Sequence, residues 1–312
     1  MKKIALFGVC ILSMLGMSVS AQNVVTSATE KEDNNFAGFY DATRFQERKA
    51  VPFAFVRQSD VVWECAIWRV INFREKFNEF FYYPTKEQMD ANDAQKRKNL
   101  VMTIMEAVER GDIQVYEDDN FSIPIDYAAM RAKGSSIRKD HITIYWKDQE
   151  TGEETDEVME EKDTNVAVPI SEDEITQVKL KEYWYVNKQD ARQNVRIVGL
   201  SLMYPKPLRS SGDDDEDEAA AVQLVEMGWI PMNDMRVREV LVKQNAYDEY
   251  NTAAERSYDD VFITRFFSSY VVRESNRFNR SISDYLTGED ALLASEEIES
   301  RIFNLEIDMW EY

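Results

Sequence analysis

The middle of the chain is rich in β-branched and aromatic residues, and these residue types favour extended strands over helices. Residues 178–186 and 195–204 show the pattern most clearly, and residues 141–147 alternate apolar and polar side chains. Residues 113–125 fit a short hairpin. We expect these segments to pair in one antiparallel or mixed sheet, which restricts the chain to folds built on a central sheet.

Apolar residues recur every three or four positions on both sides of this region, which is typical of amphipathic helices. Ser59 or Asp60 is a suitable N-cap for the first helix, and Gly111 is a suitable stop for the second. We therefore predict an α+β fold, with helical N- and C-terminal parts around a central mixed or antiparallel sheet. The predicted helices are residues 60–78, 91–110, 234–245, 259–280 and 289–304.

The first 21 residues have the three parts of a cleavable secretory signal peptide. Two lysines open it, an apolar stretch follows, and the small residues Ser20 and Ala21 precede Gln22. The apolar stretch is too short for a membrane span. Cys10 lies in its middle, whereas a lipidated cysteine would follow its end. We therefore expect export with neither a membrane span nor a lipid of its own.

Export leaves a strongly acidic chain with one cysteine. The formal net charge is −21 for the 312 residues, and it becomes −23 once Lys2 and Lys3 leave with the signal peptide. This charge argues against nucleic acid as a partner, because phosphate binding requires clustered Lys and Arg. Cys65 has no second cysteine to pair with, and its place in a predicted apolar helix indicates a buried, inert thiol.

Two acidic segments interrupt the strand region, residues 148–163 and 211–218. Their charges repel one another and they offer few apolar atoms for burial, so both are predicted to be loops. The expected organisation is a signal peptide at 1–21, an extended aromatic-rich arm at 22–57, and a single α+β domain at 58–312 that contains both loops.

The sequence carries no recognisable catalytic or cofactor motif. His141 is the only histidine, so neither a nucleophile with a histidine base nor a zinc site of several Cys and His is available. Glycine-rich phosphate-binding motifs are also missing. We predict no catalytic residue, no metal site and no cofactor. The sequence leaves open a glycosidase-type site of two paired carboxylates, because Asp and Glu are abundant.

The arm carries aromatic residues that follow neither a helical nor a strand period. Two roles stay open for them: they cap the core of their own domain, or they contact a partner. A large aromatic buried at an interface contributes on the order of 2 kcal/mol, so several together hold a neighbour firmly. The candidate partner-contact residues are Phe36, Phe39, Tyr40, Phe45, Phe53 and Phe55.

Several runs of the sequence together resemble a known protein family. The runs are Asp60–Lys76, Lys181–Trp184, Arg273–Arg277 with Asp284 and Tyr285, and the closing Glu306–Tyr312. They are similar to the GldN family, also called PorN, of gliding motility proteins in the type IX secretion machinery of Bacteroidota. The similarity spans most of the mature chain and contains no catalytic signature, so it transfers no functional residue.

The resemblance implies a structural role without enzymatic activity. It implies a periplasmic protein that assembles with an outer-membrane lipoprotein of the GldK or PorK family, and with other secretion-system subunits, into a homo-oligomeric ring. The partner lipoprotein, rather than a span of its own, would hold this protein at the inner face of the outer membrane.

The residues also leave a second function open, that of a periplasmic carbohydrate-binding or carbohydrate-active protein. Exposed aromatics and paired carboxylates are the side chains that such proteins use. However, Trp63 and Trp68 lie in a helical apolar pattern and Trp184 lies in a strand pattern, which favours core packing for all three.

The signal peptide gives the first testable prediction. Because the small residues Ser20 and Ala21 precede Gln22, we expect the mature protein to begin at Gln22. N-terminal mass spectrometry of the exported protein measures this directly. An intact Met1, or a lipid on Cys10, would contradict the prediction.

Overall fold

The computed structural model describes residues 48–91, 97–134, 136–147, 154–168, 170–207, 222–248, 251 and 255–310. The predicted signal peptide, most of the predicted arm and the acidic segment 211–218 lie outside these residues. Four of the candidate contact residues, Phe36, Phe39, Tyr40 and Phe45, lie outside them as well.

The described chain forms a seven-stranded antiparallel sheet and a separate two-stranded sheet. The larger sheet has the strand order β3-β2-β8-β7-β6-β1-β9, and the smaller pairs β4 with β5. The strands are β1 Val61–Asn72, β2 Val115–Tyr116, β3 Pro124–Ile125, β4 Ser136–Lys147, β5 Glu154–Val168, β6 Gln177–Asn187, β7 Arg192–Pro207, β8 Val222–Pro231 and β9 Tyr270–Glu274.

Helices fill the connections and the C-terminal end. They are α1 Glu79–Tyr82, α2 Lys86–Ala91, α3 Leu100–Glu109, α4 Tyr127–Gly134, α5 Met235–Val242, α6 Tyr258–Thr264 and α7 Glu289–Trp310. Strands and helices are not in regular alternation, and the fold is α+β as predicted. The strands predicted at 178–186 and 195–204, the hairpin predicted within 113–125, and the helices predicted from 234 and 289 are confirmed.

The main core lies where α3, α5 and α6 meet the sheet. Leu180 of β6 and Leu200 of β7 pack there with Ile104 of α3 and Tyr258 of α6, and all four are at most 2% exposed. A second cluster joins Ile298 and Ile302 of α7 to β1 and β9. A third, around Trp68 and Trp229, lies under the β2–β3 connection. The sheet therefore has apolar clusters on both faces.

The helix predicted at 60–78 is wrong, because residues 61–72 form the strand β1. This strand pairs with β6 on one side and β9 on the other, and residues 65–71 are buried without a break. A strand that is covered on both faces has a nearly continuous apolar run. Such a run contains apolar residues at every spacing, including the spacing of three or four that is typical of a helix. The periodicity therefore did not distinguish a helix from a buried strand.

The helix predicted at 259–280 is only partly right, because it ends after two turns. Ser257 and Asp260 form the capping box that starts α6, and Arg265 adopts a left-handed conformation that stops it. The chain then turns to pair β9 with β1. Long-range pairing thus overrides the local helical pattern.

The helix predicted at 91–110 is shorter than expected. Asn99 caps α3, its side chain accepting the Met102 N–H at 2.7 Å, so helix α3 begins at Leu100. The predicted stop at Gly111 is confirmed, with φ of 78° just beyond the helix. Residues 92–96 lie outside the described residues.

The acidic loop predicted at 148–163 is wrong for residues 154–163, which belong to β5. The strand pairs with β4 over most of its length, and in that register His141 stands opposite Asp163 and Lys147 opposite Glu154. Pairing with β4 thus overrides the acidic composition that predicted a loop. Residues 148–153 lie outside the described residues.

The β7–β8 connection gives a prediction about the second acidic segment. Pro207 and Val222 stand opposite each other in the register, so residues 208–221 join two strand ends that are already adjacent. We expect deletion of residues 211–218 to change the free energy of unfolding by less than about 1 kcal/mol, because each doubling of loop length costs only about 0.6 kcal/mol. Urea denaturation measures the difference. A loss of several kcal/mol would show that the segment belongs to the core.

Candidate interaction surface

The runs that carry the family resemblance meet on neighbouring strands. Residues 60–76 contain β1, residues 181–184 lie in β6, and residues 273–277 begin in β9. Because β1 lies between β6 and β9, these runs are adjacent although about 200 residues separate the first from the last. Their side chains form two charged clusters, one on each face of the sheet.

The first cluster is centred on the Asp119 carboxylate, in the β2–β3 connection. One of its oxygens, Oδ2, accepts the indole N–H of Trp68 at 3.1 Å and an Arg273 N–H at 2.8 Å, and it lies 3.6 Å from Lys181 Nζ. Lys181 also donates to the Asp119 carbonyl at 2.8 Å and to Asn120 Oδ1 at 3.2 Å. These bonds fasten the connection to β1, β6 and β9.

The same residues line a cavity of about 360 Å³ together with Glu64, Tyr183 and Asn279. The Arg273 guanidinium lies 3.5 Å from the centre of the Trp68 ring, which is only 6% exposed. The ring is therefore covered and offers no open platform for a sugar. Lys181 and Arg273 both pair with Asp119. The arrangement therefore fixes the β2–β3 connection to the sheet and does not present a free charge to the cavity.

The second cluster is centred on Glu182, which is fully buried on the other face. Its carboxylate accepts an Arg265 N–H at 2.6 Å and the Trp184 indole N–H at 3.0 Å, and it lies 3.7 Å from Arg69 Nε. Arg69 also pairs with Glu299 of α7. Burial lowers the pKa of the Arg69 guanidinium, and the two carboxylates oppose that shift. This network joins α7 to the sheet.

Cys65 is buried, as the sequence indicated, although in a strand rather than a helix. Burial is the main cause that raises the pKa of its thiol, and the nearby Glu274 carboxylate, 3.6 Å from the sulfur, raises it further. A raised pKa reduces the thiolate fraction and hence the reactivity of the sulfur.

The two candidate contact residues that the structure describes, Phe53 and Phe55, have different environments. Phe53 is 36% exposed, and the Arg238 guanidinium lies 4.0 Å from the centre of its ring. Phe55 is 88% exposed. The structure therefore separates one aromatic that packs on the domain from one that projects into solvent.

Three arginines hold this part of the arm. Arg238 is 1% exposed, pairs with Asp259 through contacts of 2.9 and 2.8 Å, and donates to the Val51 carbonyl. Arg196 donates to the Ala54 carbonyl at 2.8 Å, and Arg48 donates to the Glu255 carbonyl at 3.0 Å. Sequence reasoning missed these anchors, because single arginines in a helix or strand pattern carry no local signal of a backbone partner.

Among the residues that the structure describes, no group of three or more His, Cys, Asp and Glu side chains is placed to hold a metal ion. Over the same residues, no helix combines the length and the apolar composition needed to cross a membrane.

Comparison with known families gives a match over most of the chain. Residues 56–311 match the model of a family described as gliding motility associated protein GldN. This range contains every strand and helix described above. A search of curated proteins found no match.

The Asp119 cluster gives a prediction about stability. We expect Asp119→Ala to lower the free energy of unfolding by about 2–3 kcal/mol, because it leaves the largely buried Lys181 and Arg273 without their carboxylate. The matched control is Asp112→Ala, which removes the exposed ion pair with Arg110 and should cost less than about 0.5 kcal/mol. Equal losses in urea denaturation would contradict a special role for Asp119.

Proposed function

We infer the function from one premise: the chain belongs to the GldN family of gliding motility associated proteins. The resemblance drawn from the sequence is thereby confirmed. Membership implies a component of the gliding motility and type IX secretion machinery, with partners in that machinery, and it fits a place in the cell envelope. The match from residue 56 to residue 311 is the observation that carries this conclusion.

We propose that the protein is a non-enzymatic structural subunit. In this proposal it is exported to the periplasm, assembles with an outer-membrane lipoprotein of the GldK or PorK family into a ring, and is held at the inner face of the outer membrane by that lipoprotein. The charged clusters support the proposal, because each joins elements of the fold and neither presents a reacting group.

The described part of the arm supports a role in partner contact. Arg48, Arg196 and Arg238 fix its backbone to the domain, while Val51 and Phe55 remain 74% and 88% exposed. An apolar side chain on a fixed backbone loses little conformational freedom when a partner covers it, so more of its burial energy appears as affinity. We propose Phe55 as a contact residue for the lipoprotein.

A carbohydrate-related function gains no support from the described residues. The cavity beside Trp68 has its aromatic ring covered by Arg273, and Trp229 is only 2% exposed. The two tryptophans therefore serve packing.

Phe55 and Phe53 allow a matched test. We expect Phe55→Ala to reduce recovery of the chain with its membrane-bound lipoprotein at least fivefold, and to change the free energy of unfolding by less than about 0.5 kcal/mol, since the side chain is exposed. Pull-down from native membranes and urea denaturation measure the two effects.

Phe53→Ala is the control. It uncovers the buried Arg238 and should cost about 1–2 kcal/mol of stability. Because Phe53 is partly covered by the domain, this variant should retain more lipoprotein than Phe55→Ala. Normal recovery of Phe55→Ala with the lipoprotein would show that the contact lies elsewhere.

A further inference from the structure

The hairpin of β4 and β5 is separate from the rest of the described fold. Its strands hydrogen-bond to each other and to no other described strand, and no other described element packs extensively against them. With 12 residues in β4, the hairpin is about 40 Å long at about 3.3 Å per residue. Both outer edges therefore present backbone groups without a strand partner in the described part of the chain.

A long hairpin of this kind is expected to have a neighbour. Two strands alone are marginally stable in water, and a third strand or a packed helix normally stabilises them. Unpaired edges are also the part of a sheet that most readily accepts another strand. The two-stranded sheet is therefore expected to accept a further strand at its edges.

The two strands differ in charge. β4 contains Arg138, Lys139 and Lys147 against one acid, Asp140. β5 contains Glu154, Asp156, Glu157, Glu160, Glu161 and Asp163 against one base, Lys162. One edge of the hairpin is therefore basic and the other is acidic.

We propose that the hairpin joins copies of this chain, the β5 edge of one copy pairing with the β4 edge of the next. The proposal rests on the ring assembly proposed above and names the surface that would build it. The occupant follows from net charge: pairing β4 with β4, or β5 with β5, joins strands of like net charge, whereas pairing β5 with β4 joins strands of opposite net charge.

The strand directions fit this contact. When β4 of a second copy lies antiparallel to β5, all hairpins point the same way and the sheet continues as an antiparallel one. Such a contact joins different surfaces of the two copies, and it closes into a ring or continues as a filament.

Charge reversal tests the contact. The first variant combines Arg138→Glu with Lys139→Glu and makes β4 acidic. The second combines Glu157→Lys, Glu160→Lys and Glu161→Lys and makes β5 basic. Within the hairpin, Arg138, Lys139, Glu160 and Glu161 stand opposite the uncharged Val166, Asn165, Ile144 and Thr143, so no registered charge pair is lost.

The experiment is sedimentation of the mature full-length chain at increasing concentration. We expect the unchanged chain to form multimers, and each variant alone to associate at least tenfold more weakly. An equal mixture of the two variants should recover association. The unchanged acidic β5 of the first variant can pair with the unchanged basic β4 of the second, and the reversed basic β5 of the second can pair with the reversed acidic β4 of the first. One chain with all five substitutions should also associate.

Three outcomes would overturn the proposal. They are a chain that stays monomeric, variants that associate normally, and a five-substitution chain that does not associate. In the five-substitution chain β4 is acidic and β5 is basic, so the two strands of its own hairpin still carry opposite net charge. Circular dichroism of every variant checks the rest of the domain.

The lipoprotein pull-down separates this inference from the proposed function. Hairpin variants that still recover the lipoprotein but do not associate with one another support both. Association through the hairpin without lipoprotein recovery would contradict the proposed function alone.

Discussion

The pairing of β1 with both β6 and β9 is the constraint on which the rest of the structure depends. It brings residues 61–72 beside residues 270–274, so that strands from the two ends of the domain lie side by side at one edge of the sheet. The Asp119 cluster, the Glu182 cluster and the packing of α7 all use side chains from these three strands. Closing so long a loop has an entropic cost that grows only slowly with length, and burial of residues 65–71 offsets it.

The sequence was most informative where a local cause determines the structure. Strands β6 and β7, the cap at Asp234 and the stop at Gly111 follow from β-branched composition, a side-chain cap and a residue free to adopt positive φ. In contrast, β1 and β9 become strands because they pair with segments about 200 residues away, and no local pattern records such a partner.

The charged clusters were predictable only in part. The residues that β1, β6 and β9 contribute belong to the family-like runs. Asp119, which joins Trp68, Lys181 and Arg273, lies instead in a short connection without a distinguishing pattern. For the arm, the sequence identified the aromatic residues but did not show that Phe53 packs on the domain while Phe55 is exposed. Their difference depends on Arg238, which approaches from another part of the fold.

The proposed contact segments are distinct from the elements that stabilise the described fold. The cores and both charged clusters lie within the sheet and its helices, whereas the arm at Phe55 and the β4–β5 hairpin extend beyond them. If the proposed contacts are correct, substitutions in these peripheral segments change partner binding without disturbing the core. This arrangement is consistent with the proposed role in an assembly, in which one fold contacts several neighbours.

The most direct test of this account is the mass of the species that contains the chain after gentle detergent extraction of native outer membranes. Multi-angle light scattering on the purified extract measures that mass, and mass spectrometry identifies the subunits. The account predicts a very large species that contains many copies of this chain together with the outer-membrane lipoprotein. A species of monomer mass, free of lipoprotein, would contradict it.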